Sequence, residues 1–382
     1  MRVGFVSIED AASEESWSGT PLNMLRALRS ATGVDVELIS PLRLTCKWIY
    51  LPLKLWYKVI GRNFEWRRQP LSLRCFAGQV ERAARQQKLD VIVSTSSIPV
   101  ARLREGTPVI FWTDANFHAM DGYYTMNLCS QTQRAGRRQE EMALRRADFA
   151  CYASQWAADG AKQIADAARV KVLPFGPNLR IHHVRNDVEQ WIRERRTARP
   201  KGCNLLFVGR NWTRKGGDIA VETARRMNEA GILTTLRIVG GAPPCPLPPF
   251  VEVIGFINKR DPADYERLLE LYRTSDIFIL PSRAEPFGIV AAEAAAFGLP
   301  ALVSATGGLA ETVCDGVSGF RLPLDADPTQ WASKAQMILD DYDAFAFNAY
   351  NEFAIRLNWN TSIHAMVELM QHAAQHPGTH TR

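Results

Sequence analysis

Two carboxylates in the second half of the chain have a type and spacing that could hold one ligand at two points. Glu285 and Glu293 have seven residues between them. If these residues are helical, the pair is separated by a rise of about 12 Å. Carboxylates accept hydrogen bonds from vicinal diols, so each residue could hold one hydroxyl-bearing end. In the alternative interpretation Glu285 caps the helix and Glu293 is a solvated helix residue, and the spacing alone favours this alternative.

The residues around this pair predict a strand, a loop and a helix. Ile277 to Leu280 is a short apolar run typical of a buried strand. Pro286 suits a first helical position, and Gly298 suits a helix C-cap. A helix N-terminus presents free N–H groups and the positive end of a dipole. Since ligands bind at the carboxyl ends of strands in parallel α/β sheets, we expect a site here.

Two cations follow another predicted strand, residues 204–208. Arg210 and Lys215 lie just beyond it, and a helix is predicted from Asp218. Paired cations at the carboxyl edge of a sheet suit a diphosphate. Two exposed basic loop residues are the alternative, and the residues alone favour it. The segment has no Walker motif, which excludes a P-loop.

Several short motifs in this half occur in the order found in one enzyme family. They are Glu285-Pro286-Phe287-Gly288, Glu293, Gly298-Leu299-Pro300, Gly307-Gly308, Glu311 and Gly316-Val317-Ser318-Gly319-Phe320. This order resembles the glutamate-x7-glutamate signature and ending of the retaining GT-B glycosyltransferases of family four, the glycosyl transferases group 1. The Val208-Gly209-Arg210 to Lys215-Gly216 spacing also resembles that family, which places an Arg and a Lys on the donor diphosphate.

The resemblance implies an α/β GT-B fold: two Rossmann-like doubly wound domains facing across a cleft. It implies a nucleotide-sugar donor (UDP- or GDP-sugar) in the second domain, a hydroxyl acceptor in the first, and transfer with retention. The donor-binding residues that it implies are Gly19, Arg210, Lys215, Phe287, Gly288, Ile289 and Glu293. Its implied catalytic residues are Asp114, His118 and Glu285. The family's His or His-Asp at one strand end is replaced here by Thr113-Asp114, so either Asp114 or His118 takes that role.

The length of 382 residues and the alternation of strands and helices predict two doubly wound domains. Residues 1–180 form the first. A charged, strand-free linker covers 181–202, and 203–358 form the second. A C-terminal amphipathic helix, 360–376, is expected to pack back on the first domain, as the GT-B resemblance implies.

One segment of the first domain, residues 41–74, is basic and aromatic. It has eight Lys or Arg residues against one Glu, and six Trp, Tyr or Phe residues among them. This composition suits the interface of an anionic membrane. It also suits a sugar or polyanionic acceptor, and an ordinary connection packed on the domain is as well supported. No nucleic-acid-binding module accompanies it, so nucleic acid is not expected.

The composition argues against several other classes of protein, including membrane-spanning, secreted, disulfide-rich and metal-binding ones. No run of eighteen apolar residues is present, and the N-terminus lacks the long apolar run of a signal peptide. The seven cysteines are scattered without a C-x-x-C pair, which predicts neither a zinc site nor a disulfide framework and fits a reducing cytoplasm. The D-x-D at Asp325 to Asp327 precedes Pro328 and is interpreted as a helix cap, so we expect no metal and no cofactor. A cytoplasmic protein, peripheral on the inner face of the membrane if residues 41–74 bind lipid, is predicted.

The predicted function is sugar transfer in the synthesis of a glycan, glycolipid or glycosylated metabolite. Two alternatives stay open. One is another enzyme on the same scaffold, either a nucleotide-sugar epimerase or a phosphorylase. The other is a non-catalytic GT-B protein that binds sugar, lipid or a partner.

Overall fold

The computed structural model describes residues 1–124, 126–199, 201–241, 243–244 and 246–376. The chain divides into two compact units, Met1–Pro174 with Trp359–Arg382, and Phe175–Asn358. Each unit is built around one parallel sheet of six strands, with helices in the connections.

The first unit carries the sheet order β2-β1-β3-β4-β5-β6. Its strands are β1 Arg2–Val6, β2 Asp35–Ile39, β3 Val91–Ser94, β4 Val109–Thr113, β5 Phe149–Tyr152 and β6 Val170–Val172. Every residue of β3, β4 and β5 is buried, as expected for strands covered on both faces by helices. The helices are α1 Thr20–Ser30, α2 Leu51–Val59, α3 Pro70–Gln87, α4 Phe117–Met120, α5 Ser130–Arg146 and α6 Gln155–Lys162.

The second unit carries the order β12-β11-β10-β7-β8-β9. Its strands are β7 Gly202–Gly209, β8 Leu233–Gly240, β9 Val251–Gly255, β10 Ile277–Leu280, β11 Ala301–Ser304 and β12 Gly319–Leu322. Its helices are α7 Arg185–Ala198, α8 Trp212–Lys215, α9 Gly217–Glu229, α10 Pro262–Thr274, α11 Ile289–Ala296, α12 Pro328–Asp340 and α13 Tyr342–Ile355. Asp327 caps α12 by accepting from the Thr329 and Gln330 amides, which agrees with the capping interpretation of the D-x-D.

The last helix, α14 Trp359–Gln375, belongs to the first unit. The Trp359 ring contacts Trp112 of β4 edge-on, with 5.7 Å between centroids. Ser362 Oγ donates to the Pro174 carbonyl at 2.5 Å, and Ile363, Met366 and Met370 are buried. The chain thus leaves the first unit at Pro174 and returns to it at Trp359.

The predicted linker differs from the structure. Most of 181–202 is helix α7, which lies in the second unit, and the unit boundary falls at Phe175. Pro200 lies outside the described residues. The helix was missed because its buried stripe is Val188, Ile192 and Arg195, so its third member is a cation.

Arg195 is 2% exposed and contacts carbonyls in place of a carboxylate. Its guanidinium donates to the carbonyls of Tyr272 (3.2 Å), Arg273 (2.7 Å), Phe297 (2.8 Å) and Gly298 (3.1 Å), and to the Tyr342 hydroxyl at 3.3 Å. Two of these carbonyls end α10, and the other two follow α11. One side chain therefore satisfies backbone groups that helix ends leave without partners.

Within the described residues, no helix combines the length and apolar character needed to cross a bilayer. The described cysteines, Cys46, Cys75, Cys129, Cys151, Cys203 and Cys314, are free thiols. Cys245 lies outside the described residues.

Candidate functional site

The second sheet reverses its strand order between β7 and β10. The two strands are neighbours, while the chain continues outward from β7 to β8 and from β10 to β11. Ligands bind at such switch points in open parallel sheets, because the loops after the two strands diverge and leave a crevice. The loop after β7 carries Arg210 and Lys215, and the loop after β10 carries Glu285. The structure thus brings both predicted motifs to one edge of one sheet.

Lys215 and Glu285 are direct partners at this point. Lys215 Nζ donates to Glu285 Oε2, and Arg214 Nη1 lies 3.1 Å from the same oxygen. Arg214 Nη1 also donates to the Ala284 carbonyl at 2.7 Å. The Lys215 and Glu285 side chains are each 12% exposed. Two cations therefore neutralise the buried carboxylate, and the three side chains hold one another in place.

Backbone contacts fix the same two loops to each other. Arg283 N–H donates to the Arg214 carbonyl at 2.7 Å. Gly216 has φ +75°, and a Cβ there would lie 2.0 Å from the Pro281 carbonyl oxygen. Only glycine fits this left-handed position so close to another backbone. The approach allows Lys215, the residue before it, to reach Glu285.

Glu293 is 1% exposed and has a partner on each carboxylate oxygen. Lys259 Nζ lies 2.9 Å from Oε1, and the Tyr272 hydroxyl donates to Oε2 at 2.8 Å. Burial, and then the Glu293 charge, raise the pKa of Tyr272 well above its ordinary value, so the phenol remains a donor. Lys259 also donates to the Asn178 carbonyl at 3.3 Å. The solvated-helix interpretation of Glu293 is therefore excluded.

Arg210 contacts an exposed aromatic ring. Its guanidinium centre lies 4.8 Å from the Phe256 ring, and Phe256 is 61% exposed after β9. Strand β8 lies between β7 and β9, and its end carries Gly240 and Gly241. A Cβ on Gly241 would lie 2.1 Å from the Arg210 carbonyl oxygen. The glycines thus let Arg210 contact Phe256, whose ring lies at the surface.

Helix α11 begins at Ile289, three residues after the predicted Pro286. Gly288 has φ +81° at the N-cap, so helical backbone starts only after it. Residues between Glu285 and Gly288 are therefore not helical, and the 12 Å helical rise does not apply to the carboxylate pair. The Phe287 ring is 4% exposed and packs edge-on against Phe175, so only its backbone is available to a ligand. The N–H groups of Gly288 and Ile289 lie at the helix N-terminus, as expected for an anion site.

The other predicted residues lie in the first unit, whose sheet has its switch point between β1 and β3. Gly19 is the N-cap of α1 with φ +87°. Trp17 and Ser18 before it also have left-handed backbone, with φ 45° and 55°. Such a run of left-handed residues stores strain, a feature that clusters at ligand loops.

Asp114 directly follows β4, and His118 lies one helical turn further in α4. His118 Nδ1 is buried and has no hydrogen-bond partner among the described residues. His118 lies within electrostatic range of the Glu140 carboxyl of α5. Both side chains are thus at the carboxyl end of β4, and the structure brings them to the same sheet edge as Gly19.

A buried carboxylate next to His118 was not singled out from the sequence. Glu140 is 1% exposed; it accepts from Ser97 Oγ at 2.7 Å and from the Tyr152 hydroxyl at 3.3 Å. Burial raises the pKa of Glu140, while the nearby Arg68 opposes that shift. The sequence around Glu140 is rich in charged residues, with Arg134, Arg137 and Arg138 before it, and this pattern gives no signal of burial. Lys259 and Tyr272 were also missed, because only the fold brings them to Glu293.

Residues 202–341 match the family model described as glycosyl transferases group 1. The curated relatives include a D-inositol 3-phosphate glycosyltransferase of Acidothermus cellulolyticus, 32% identical over 224 residues, which are 55% of this chain and 49% of that protein. The protein of the same name from Paenarthrobacter aurescens is 31% identical over 185 residues. These are 46% of this chain and 45% of that protein. The chain therefore matches about half the length of these relatives.

Solved structures agree with the fold over nearly the whole chain. Sucrose-phosphate synthase from Thermosynechococcus elongatus superposes with a TM-score of 0.66 at 20% identity, covering 97% of this chain and 98% of that one. HepE from Anabaena, in complex with UDP and glucose, gives 0.61 at 19% identity, covering 97% and 99%. These similarities confirm the GT-B fold, and the family match confirms the resemblance to the group 1 glycosyltransferases.

Proposed function

We propose that this protein is a retaining glycosyltransferase of family four, moving a sugar from a nucleotide-diphosphate sugar to a hydroxyl acceptor. One observation carries the proposal. The loops after β7 and β10 meet at the switch point of the second sheet and bring Arg210, Lys215 and Glu285 to one edge. The group 1 family match spans these same loops.

The diphosphate end of the donor is assigned to Arg210, Lys215 and the N-terminus of α11. A diphosphate carries its charge on several oxygens, which a guanidinium, an ammonium and backbone N–H groups can share. Arg210 is exposed at the edge of the sheet, and Lys215 is held by Glu285. These groups would stabilise the charge that develops on the leaving diphosphate. We propose that this replaces a metal ion, so the reaction would proceed in the presence of a chelator.

The nucleoside end is assigned to Glu293 and Phe256. Glu293 is the carboxylate that would accept the ribose hydroxyls, with Lys259 and Tyr272 fixing its position. Phe256 supplies an exposed ring beside Arg210 for the base. The HepE structure contains UDP and glucose, which supports a nucleoside diphosphate in this fold without choosing between UDP and GDP for this chain.

The sugar end of the donor is assigned to Glu285. Asp114 and His118 stay the catalytic candidates of the first unit. In the proposed reaction the bond between the sugar C1 and the diphosphate oxygen breaks. The acceptor oxygen forms the new bond to C1 on the face that the diphosphate leaves. The released diphosphate oxygen takes the acceptor's proton. Positioning and charge stabilisation therefore supply the catalysis, with no covalent intermediate on the enzyme.

The experiment is a turnover assay with UDP-, GDP- and ADP-sugars, in which water serves as a poor acceptor. We expect one nucleotide series to release nucleoside diphosphate, and the first sugar released to keep the anomeric configuration of the donor by NMR. Lys215→Ala and Glu293→Ala should reduce release at least tenfold, and a chelator should change nothing. Inverted sugar would contradict retention.

The same assay separates the alternatives. A nucleotide-sugar epimerase would convert the donor without releasing nucleoside diphosphate. A phosphorylase would require inorganic phosphate. A non-catalytic binder would show donor affinity with no product in any condition.

A further inference from the structure

Helix α2 and the short helical turn before it, Lys47–Tyr50, form a surface feature that the donor site does not use. Neither element has a single buried residue. Large apolar side chains of this segment are nonetheless exposed, by 69% at Trp48, 63% at Ile49, 55% at Leu55, 62% at Trp56, 82% at Val59 and 51% at Ile60. Contiguous exposed apolar side chains of this size mark an interaction surface.

These apolar residues lie on one side of the segment. Trp48, Trp56 and Ile60 are spaced by multiples of four, and Leu51, Leu55 and Val59 form a parallel row. At 3.6 residues per turn, both rows cover one broad face. We call this set of six side chains, with Ile49, the apolar face.

The opposite side of the segment fixes it to the first unit. Tyr57 stacks on the buried Phe64 ring, with centroids 5.7 Å apart, and Tyr50 lies 6.0 Å from the same ring. The Tyr50 hydroxyl accepts from the Leu71 amide of α3 at 3.2 Å. The apolar face is therefore turned outward by contacts on its other side, and its exposure follows from how the segment is anchored.

The charge around the apolar face has one sign. Between Pro41 and Phe64 the chain carries Arg43, Lys47, Lys54, Lys58 and Arg62 and no Asp or Glu. Lys47, Lys54 and Lys58 are exposed and, at helical spacing, form a strip along one border of the apolar face. Lys54 Nζ lies 4.3 Å from the Trp66 ring, and Lys47 Nζ lies 5.1 Å from the Trp48 ring. An apolar face with tryptophans, bordered by lysines, matches the surface of a bilayer that carries anionic headgroups.

We propose that residues 47–60 dock this protein on an anionic lipid bilayer, with the apolar face entering the headgroup region and the lysine strip contacting lipid phosphates. A second copy of the chain fits less well, because two copies would bring the two lysine strips near each other. A sugar would use the aromatic rings but not the aliphatic Ile49, Leu55, Val59 and Ile60. The docking does not depend on the donor site, so each proposal can fail without the other.

The test is flotation of the full chain with vesicles of phosphatidylcholine, with and without phosphatidylglycerol. We expect binding to the anionic vesicles and little binding to the neutral ones. High salt should release part of the bound protein, because it screens the attraction between the lysines and the anionic headgroups. Trp56→Ser with Val59→Ser should reduce binding at least tenfold, since both residues are on the apolar face. Replacing Lys47, Lys54 and Lys58 by Gln should reduce binding to anionic vesicles and leave the weak neutral binding unchanged.

Matched controls separate binding through the apolar face from nonspecific hydrophobic or electrostatic binding to vesicles. Leu233→Ser with Ile355→Ser removes two equally exposed apolar residues of the second unit, at 76% and 70% exposure. Replacing Arg82, Arg85 and Lys88 by Gln removes three exposed cations from the far end of α3. Both controls should bind vesicles like the wild type, and all variants should keep the wild-type melting temperature because none of the replaced side chains is buried.

Three outcomes would overturn the proposal. The first is no binding of the wild type to anionic vesicles. The second is equal binding of the apolar-face variants and the control variants. The third is a wild-type dimer by light scattering that Trp56→Ser with Val59→Ser converts to monomer, which would assign the face to a second copy of the chain.

Discussion

Lys259 Nζ lies 2.9 Å from Glu293 Oε1, although 34 residues separate them in sequence. The Glu293 side chain is 2% exposed and that of Lys259 is 29% exposed, so the carboxylate is buried and the ammonium is partly exposed to water. A buried carboxylate that loses its cation pays a large desolvation cost. The lysine therefore holds in position the carboxylate that we assign to the ribose of the donor.

Lys259→Met tests this pairing. The variant keeps the length of the side chain and removes the cation, while the Tyr272 hydroxyl still donates to Glu293 Oε2. We expect the free energy of unfolding to fall by about 1–3 kcal/mol. Lys259→Met combined with Glu293→Gln should recover most of that loss, because the uncompensated charge is then removed. Chemical denaturation of the four proteins in the double-mutant cycle gives the coupling energy, and additive losses would contradict the pairing.

Gly216→Ala tests the contact between the two ligand loops. The substitution places a Cβ 2.0 Å from the Pro281 carbonyl oxygen at a residue with φ +75°. We expect a loss of stability above about 2 kcal/mol, together with weaker nucleotide binding. Gly231→Ala is the matched control, since Gly231 has φ +85° and nothing within 4 Å of its added Cβ. Gly231→Ala should lower the free energy of unfolding by only about 1 kcal/mol, the cost of placing a Cβ on left-handed backbone. Equal losses in the two variants would contradict the close contact between Gly216 and the Pro281 carbonyl.

Arg195→Met tests whether a buried cation ties helix ends together. The substitution leaves four backbone carbonyls without their guanidinium donors. We expect a loss of about 3–5 kcal/mol in the free energy of unfolding. Arg193→Met, on the exposed side of the same helix, should stay within about 0.5 kcal/mol of the wild type. A similar small effect at Arg195 would show that water replaces the guanidinium.

His183 predicts a pH dependence of stability. Its Nε2 lies 2.7 Å from the Ala296 carbonyl oxygen, and burial lowers its pKa from the ordinary value of 6.5. As pH falls through that ordinary value, the unfolded chain takes up a proton that the folded protein does not, so the free energy of unfolding falls. Relative to the wild type, His183→Gln should show a shallower decline in this free energy from about pH 7 to about pH 5. His364→Gln, at an exposed site, should keep the wild-type slope, and a wild-type slope in His183→Gln would contradict the assignment.

Local signals in the sequence predicted the features that depend on neighbouring residues. The apolar run Ile277 to Leu280 is strand β10, and Arg210 and Lys215 do follow a strand end. The start of α11 was misplaced because Pro286 suits a first turn, while the left-handed Gly288 delays the helix. Strand β2 was missed because it is an edge strand with only its last residue buried, so its apolar signal is weak.

Contacts between distant residues could not be predicted in the same way. The partners of Glu293 come from the loop before α10 and from α10 itself, and no spacing rule connects them. Helix α7 was missed because its stripe ends in Arg195, whose burial depends on carbonyls about 80 and 100 residues away in sequence. Asp114 and His118 remain two candidates for one role, since both lie at the carboxyl end of β4.

The most direct measurement is the melting temperature of the wild type, Glu293→Ala and Lys215→Ala with UDP-, GDP- and ADP-sugars. A ligand that binds only the folded state stabilises it by about 2.7 kcal/mol when present at about 100 times its Kd. We predict that one nucleotide series raises the melting temperature of the wild type and that both substitutions weaken this response. If millimolar concentrations of every series leave the wild type unchanged, the switch point between β7 and β10 does not bind a nucleotide-sugar, and the account is contradicted.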